Sequence, residues 1–103
     1  MVTIPIEKVA NPPLIDALKR GNLDAAKALI SKPATDVNEK GLFGHTALMW
    51  AAVKGDVELV QMLIDRHADI NAKDDDDQTA YDLIKYSSRT EVQSKILEML
   101  KKK

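Results

Sequence analysis

Two stretches of this chain are near copies of one another. Gly21-Asn22-Leu23-Asp24-Ala25-Ala26-Lys27-Ala28-Leu29-Ile30 returns as Gly55-Asp56-Val57-Glu58-Leu59-Val60-Gln61-Met62-Leu63-Ile64, 34 positions later. Asp36-Val37-Asn38 returns as Asp69-Ile70-Asn71, and Thr46-Ala47 as Thr79-Ala80, both after 33 positions. The slip from 34 to 33 places one additional residue in the first unit, within Ser31 to Thr35. A period of this length belongs to stacked-repeat architectures, in which one unit cannot bury its apolar face alone and must lean on a neighbour. A stack of that kind offers a long surface rather than a pocket, and such surfaces suit protein partners.

Composition narrows the choice. The 103 residues make one domain, expected over 1–103, with 45% apolar residues but only 4% aromatic ones, which suits a thin helical core of Leu, Ile, Val and Ala. Basic and acidic residues nearly balance, at 15 and 16, so no general phosphate-binding surface and no nucleic-acid partner are expected. No stretch approaches the ~20 apolar residues of a membrane span, and the N-terminus lacks a basic-then-apolar leader. The expectation is no membrane partner and a cytoplasmic location, with a periplasmic or secreted protein trimmed of its signal as the alternative. With no cysteine, disulfides, thiol catalysis and thiolate metal sites are excluded.

Local signals place helices inside each unit. Residues 1–11 read as an extended lead-in, and Asn11 before Pro12-Pro13 as a helix entry. Leu14 to Arg20 reads as a helix stopped by Gly21. Leu23 to Ile30 reads as a second, with Leu23, Ala26, Leu29 and Ile30 on its inner face and Pro33 barring continuation. Thr46 caps a helix with Leu48, Ala51 and Ala52 inward, ended at Gly55. Asp56 caps the next, with Leu59, Val60, Leu63 and Ile64 as its stripe. The short side chains of Ala51 and Ala52 allow two helices to approach closely. Thr79 opens a third unit with Tyr81, Leu83 and Ile84 inward, followed by a last helix from about Thr90 that carries Val92, Ile96, Leu97, Met99 and Leu100.

The segment Gly44-His45-Thr46-Ala47-Leu48-Met49-Trp50-Ala51-Ala52-Val53-Lys54-Gly55, followed by Val57-Glu58-Leu59-Val60 and Ala68-Asp69-Ile70-Asn71-Ala72, resembles one ankyrin repeat nearly end to end. The resemblance covers roughly residues 12 to 100. It implies an all-α solenoid of about three helix-turn-helix units joined by short β-hairpin-like turns. The expected units are an N-terminal capping repeat over 12–40, a full middle repeat over 41–73 and a C-terminal capping repeat over 74–103. Ala47 and Met49 stand where the family has Pro and His. His67 and Asp77 stand where it has Gly, at positions that call for a left-handed backbone, which His and Asp tolerate better than most residues. Asp16 at one end, and Lys95 and Glu98 at the other, fit the polar caps that a complete small solenoid requires, and a monomer is expected.

Chemistry-bearing clusters yield little. The run Asp74-Asp75-Asp76-Asp77 lacks the glycine and glutamate of a calcium loop, since the sixth and twelfth positions are Thr79 and Lys85. It reads as a solvated tip. His45 and His67 have no convergent ligands for zinc. The serines lack a nucleophile elbow, and Gly41 and Gly44 precede no phosphate-loop lysine. No catalytic residue, cofactor or metal is expected, and the chain reads as a non-enzyme. Lys101-Lys102-Lys103 complements the negative end of a helix dipole. Trp50, the single tryptophan, is expected to face the core of the stack.

Leu42-Phe43 resists so plain a reading, being two large apolar residues at the tip between Gly41 and Gly44. The resemblance implies a concave face made of tips and first-helix edges that grips a protein partner. Carried over by position, the tips are Leu42, Phe43 and His45, then Asp75, Asp76 and Gln78. The edges are Lys19 and Arg20, then Val53 and Lys54, then Tyr86 and Ser87. The expected function is non-catalytic protein–protein recognition through Leu42, Phe43, His45, Val53, Lys54, Asp75, Asp76, Gln78 and Tyr86. The alternative is an inhibitor or immunity-type protein that blocks an enzyme or toxin.

Overall fold

The structure, a computed structural model, describes residues 12–85 and 91–101. Helix α1 spans Pro13–Arg20, α2 Leu23–Ser31, α3 Ala47–Lys54, α4 Val57–Asp65, α5 Ala80–Ile84 and α6 Glu91–Lys101. One 3-10 turn, Leu42–Gly44, lies between α2 and α3, and no strand occurs among the described residues. Each helix packs against its chain neighbour as an antiparallel pair: α1 on α2, α3 on α4, α5 on α6. The pairs then stack in two rows, α1–α3–α5 on one side and α2–α4–α6 on the other. The architecture is the all-α solenoid that the repeat implies.

The starts and stops follow from single side chains. Asn22, Thr46, Asp56 and Thr79 each accept a hydrogen bond from the backbone N–H three residues on, at 3.1–3.3 Å. Each such cap is worth about 1 kcal/mol. Thr79 and Asp82 complete a reciprocal box, because the Asp82 carboxylate accepts the Thr79 N–H at 3.1 Å. That bond and one from Lys85 hold the Asp82 carboxyl below the usual carboxylate range. One unit earlier Met49 occupies the position of Asp82, and its Sδ accepts the Thr46 N–H at 3.5 Å. The thioether thus supplies the polar half of the box while remaining 2% exposed. Gly21 and Gly55 end α1 and α3 at φ 76°, and their N–H groups return to the helix carbonyls. The N-terminal cap of α1 is Pro12, without a side-chain bond. Asn11, the expected cap, lies outside the described residues.

The core runs between the two rows. Leu18, Ala26, Ala51, Ala52, Leu59, Val60, Leu63 and Ile96 are fully buried, with Ile15, Ile30, Leu48 and Ile84 at 1%. Burial of each Leu, Ile or Val contributes about 1.5–3 kcal/mol. Ala51 and Ala52 meet no solvent, in keeping with the close helix approach that their size permits. Leu23 departs from the expected inner face. It is 38% exposed, because the first residue of α2 lies where the chain enters the helix, outside the seam. Ile64, Tyr81, Leu83, Leu97 and Met99 are half-buried at the margin of the core.

Polar ties couple one unit to the next. The Arg66 guanidinium donates to the carbonyls of Ile30, Lys32 and Thr35, the last two at 3.1 and 3.2 Å. One cation thereby satisfies the frayed end of α2 and pins the segment that holds the additional residue. Asn38 Oδ1 accepts the Asp69 N–H at 2.6 Å, and Lys40 Nζ donates to the Lys73 carbonyl at 2.7 Å. Asp36 and Asp69 each fold their own turn by accepting the N–H two residues ahead, at 2.9 Å. Lys27 and Glu58 pair at 2.8 Å between α2 and α4, and the Glu58 carboxylate raises the lysine pKa. That pair is solvated and contributes little to stability.

Candidate functional site, the tips and the first-helix edge

Two tips stand side by side at one margin of the stack. In the first, the Gly41 N–H donates to the His45 carbonyl at 2.9 Å, and in the second the Asp74 N–H donates to the Gln78 carbonyl, also at 2.9 Å. A third bond, from the Asp75 N–H to the Phe43 carbonyl at 3.0 Å, locks one tip against the other. Each turn is hairpin-like and without a ladder, tightened by a further bond, from the Gly44 N–H to the Gly41 carbonyl at 3.1 Å in the first and from the Asp77 N–H to the Asp74 carbonyl at 2.9 Å in the second. The approach is close at Gly44, which sits at φ 74°. A Cβ there would lie 2.7 Å from Asp75 Oδ1 and 2.9 Å from the Asp75 nitrogen.

Asp74 organises the second tip. Its carboxylate accepts the N–H groups of Asp76 at 2.9 Å and Gln78 at 3.0 Å, and its Oδ2 lies 3.2 Å from His45 Nε2. Burial alone would raise the Asp74 pKa. The two backbone donors and His45 outweigh it and hold the carboxyl below the ordinary value. The expected solvated run is therefore corrected at its first member. Asp74 is 7% exposed and structural, while Asp75, Asp76 and Asp77 face solvent. Asp77 pairs with Lys73 at 3.6 Å. No group of His, Asp or Glu poised for a metal ion occurs among the described residues.

His67 and Asp77 adopt the left-handed backbone expected of them, at φ 65° and 64°. Phe43 joins them at φ 62°, which the sequence did not announce. The Phe43 ring is 72% exposed and Leu42 is 42% exposed. The Phe43 ring does not fold down over the first unit.

The site is one continuous surface. From Phe43 the rings run inward: His45 lies 6.3 Å from Phe43 in a tilted contact and 5.9 Å from Trp50, edge-on at 89°. His45 is held between Asp74 and the Trp50 ring. Trp50, expected in the core, is half-buried instead. One side packs on the core and the other lines two depressions. The larger, about 220 Å³, is bounded by Lys19, Leu42, Phe43, His45 and Trp50. The other, about 150 Å³, is bounded by His45, Met49, Trp50, Val53 and Leu83. Val53 is 49% exposed, and Lys54 donates to the Lys19 carbonyl at 3.4 Å, tying the edges of α1 and α3 together. Of the residues singled out beforehand, Leu42, Phe43, His45 and Val53 converge here. Asp75, Asp76 and Gln78 are exposed on the adjoining tip, and Lys54 is exposed at the far edge. Tyr86 and Ser87 lie outside the described residues. Trp50 and Leu83 were not expected on this surface. Their signal was positional, since Asp16, Trp50 and Leu83 follow one another at offsets of 34 and 33.

A family model for ankyrin repeats, three copies, matches residues 6–100. The chain belongs to the ankyrin repeat family. It is 40% identical over 68 residues to ankyrin repeat and SAM domain-containing protein 6 of Rattus norvegicus, covering 66% of this chain and 8% of that protein. It is 34% identical over 91 residues to alpha-latrocrustotoxin-Lt1a of Latrodectus tredecimguttatus, covering 87% of this chain and 6% of the toxin. Among solved structures, the fold matches one chain of the complex between the Bd0816 predatory endopeptidase of Bdellovibrio bacteriovorus and immunity protein Bd3460. The TM-score is 0.72 at 26% identity, over 90% of this chain and 46% of that one. The chain thus spans less than a tenth of these two curated relatives. Ankyrin repeats are protein–protein interaction modules, in general without catalysis of their own. No helix among the described residues is long and apolar enough to cross a membrane.

Proposed function

We propose that this ankyrin domain is a non-catalytic recognition module that binds one partner protein through its concave face. The surface comprises the tips, with Leu42, Phe43, His45, Asp75, Asp76 and Gln78, and the helix edge, with Val53 and Lys54; Tyr86 is added by sequence position alone. The observation that carries the reading is Phe43. A bulky side chain held at φ 62° is strained, and an aromatic ring 72% exposed gains almost nothing from folding. Both costs fall on a residue that lines the larger depression beside Trp50, and the exposure is offset when a partner covers the ring, while the strained backbone holds the ring ready for it. Aromatic residues at such positions are typical binding hot spots. The stack holds the tips in place before binding, so little ordering entropy is lost on association.

An inhibitory version of this reading has its own support. The solved structure that the fold matches is a complex of an endopeptidase with an immunity protein. Here the partner would be an enzyme that the concave face holds inactive.

The test begins with recovery of the partner on the immobilised wild-type chain, followed by titration against Phe43→Ala. Affinity is expected to fall more than tenfold, with the melting curve moved by no more than an exposed substitution allows, about 0.5 kcal/mol. Retained affinity would place the partner on another surface. Assay of the partner's own activity with and without the chain separates inhibition from simple attachment.

A further inference from the structure

We infer that the concave face takes a single segment of its partner that carries two bulky apolar side chains, one for each depression beside Trp50, with a lysine or arginine next to them at the Asp75–Asp76 end. The inference deepens the proposed function and rests on it.

The volumes set the apolar part. A cavity of ~150 Å³ is the size that accommodates one benzene ring. Depressions of about 150 and 220 Å³ therefore each match one large side chain. They share His45 and Trp50 as a common wall, so the two anchors come from neighbouring positions of one segment rather than from distant parts of a partner.

The charges set the flank. Asp75 and Asp76 are exposed, and neither carboxylate has a cationic partner among the described residues. Asp77 is compensated by Lys73, and the Asp74 carboxylate is committed to Asp76, Gln78 and His45. Two uncompensated carboxylates thus stand on the tip that is bonded to Phe43 through the Asp75 N–H. Lys19, exposed, lines the larger depression, and Lys54 is bound to its carbonyl. An acidic tip bonded to Phe43 and a lysine in the wall of the depression differ in sign, and such complementarity orients a segment. A phosphate backbone or an anionic lipid surface would meet repulsion at Asp75 and Asp76. A protein segment with a basic residue beside its apolar pair meets attraction there.

The probe is a phage-displayed library of random 12-residue peptides without tryptophan, selected on the immobilised chain. Enriched peptides are then synthesised and titrated by the emission of Trp50. The expected result is a family of peptides with two bulky apolar residues and a Lys or Arg beside them, whose binding shifts the Trp50 emission and weakens with added salt. The variant Asp75→Asn with Asp76→Asn is expected to weaken such a peptide about tenfold. The same peptide with its basic residue changed to Gln should bind wild type and variant alike. Phe43→Ala should weaken both peptides more than tenfold.

Enriched peptides without a basic residue, or equal binding by the Asp75/Asp76 variant, would overturn the inferred partner chemistry. If Phe43→Ala still abolishes binding in that case, the concave-face reading stands. Binding that survives Phe43→Ala and leaves Trp50 emission unchanged overturns both. A selection that yields no binder above background overturns the inferred segment mode.

Discussion

The two tips occupy the same place in successive units, yet they are built on opposite terms. The second is organised by one of its own side chains, because the Asp74 carboxylate gathers two backbone N–H groups of its turn and also meets His45 of the first tip, so the rest of that tip can be polar and free. The first has Gly41 in the place of Asp74. Two consecutive left-handed residues, Phe43 and Gly44, turn its chain, and its own backbone bonds together with one from Asp75 hold it, with no side chain of its own as organiser among the described residues. The internally satisfied tip contributes to the fold. The Phe43 tip presents a strained aromatic ring to solvent and is bonded to the second tip through the Asp75 N–H. On the proposed function, stability and recognition are divided between neighbouring copies of one motif.

The largest effect is expected where the organising side chain is removed. Asp74→Ala leaves two backbone donors without their acceptor and releases His45, a loss of about 3 kcal/mol from hydrogen bonds to a charged group. A urea midpoint measures it. The same carboxylate carries a pH signature. Its folded pKa lies below the unfolded value of about 3.9. The stability it contributes is therefore fully present above that value and is lost as pH falls through the folded pKa. Acid titration of the wild type should show loss from about pH 4 downward, and Asp74→Asn should flatten that part of the profile. A parallel profile in the variant would deny Asp74 its role.

Next comes the glycine that allows the tips to touch. Gly44→Ala forces a Cβ to within 2.9 Å of the Asp75 backbone nitrogen at a positive φ, and about 2 kcal/mol should be lost. The equivalent residue of the second tip is Asp77, at φ 64°. There the reverse exchange, Asp77→Gly, should change stability by less than about 1 kcal/mol, since relief of strain offsets added freedom of the unfolded chain. Thermal melts of the pair decide whether the two tips differ as claimed. Equal responses would mean that the contact between them is not tight.

The fold was legible because its signals are local and repeated: Thr46, Asp56 and Thr79 as caps, Gly21 and Gly55 as stops, and His67 and Asp77 in glycine's place. Leu23 misled because helical spacing does not register where a helix is entered. The site was legible at Leu42 and Phe43, where composition contradicts exposure. It was hidden at Asp74, one of four identical residues, since only the folded tip distinguishes the one that turns inward. Arg66 was hidden too. Its three acceptors lie 31–36 positions away and are main-chain carbonyls, which no residue type announces. Trp50 is expected to face the stack from its position on the helix, and that spacing does not show that one side of the ring lines two surface depressions.

The smallest expected change is also the most discriminating. Phe43→Asn places a residue that tolerates the left-handed backbone where a bulky one is strained, and it removes an exposed apolar ring. Were Phe43 there for the fold, the exchange would destabilise. On the reading above the protein should gain about 0.5–1 kcal/mol, as substitutions that relieve strain at functional positions commonly do, while its affinity for the partner falls. A guanidinium or thermal melt measures the first and a titration of the recovered partner the second. The opposite signs carry the inference, because a merely structural residue loses on both scales and an idle one moves on neither. A destabilised Phe43→Asn would return the first tip to the role of the second, as a piece of the frame.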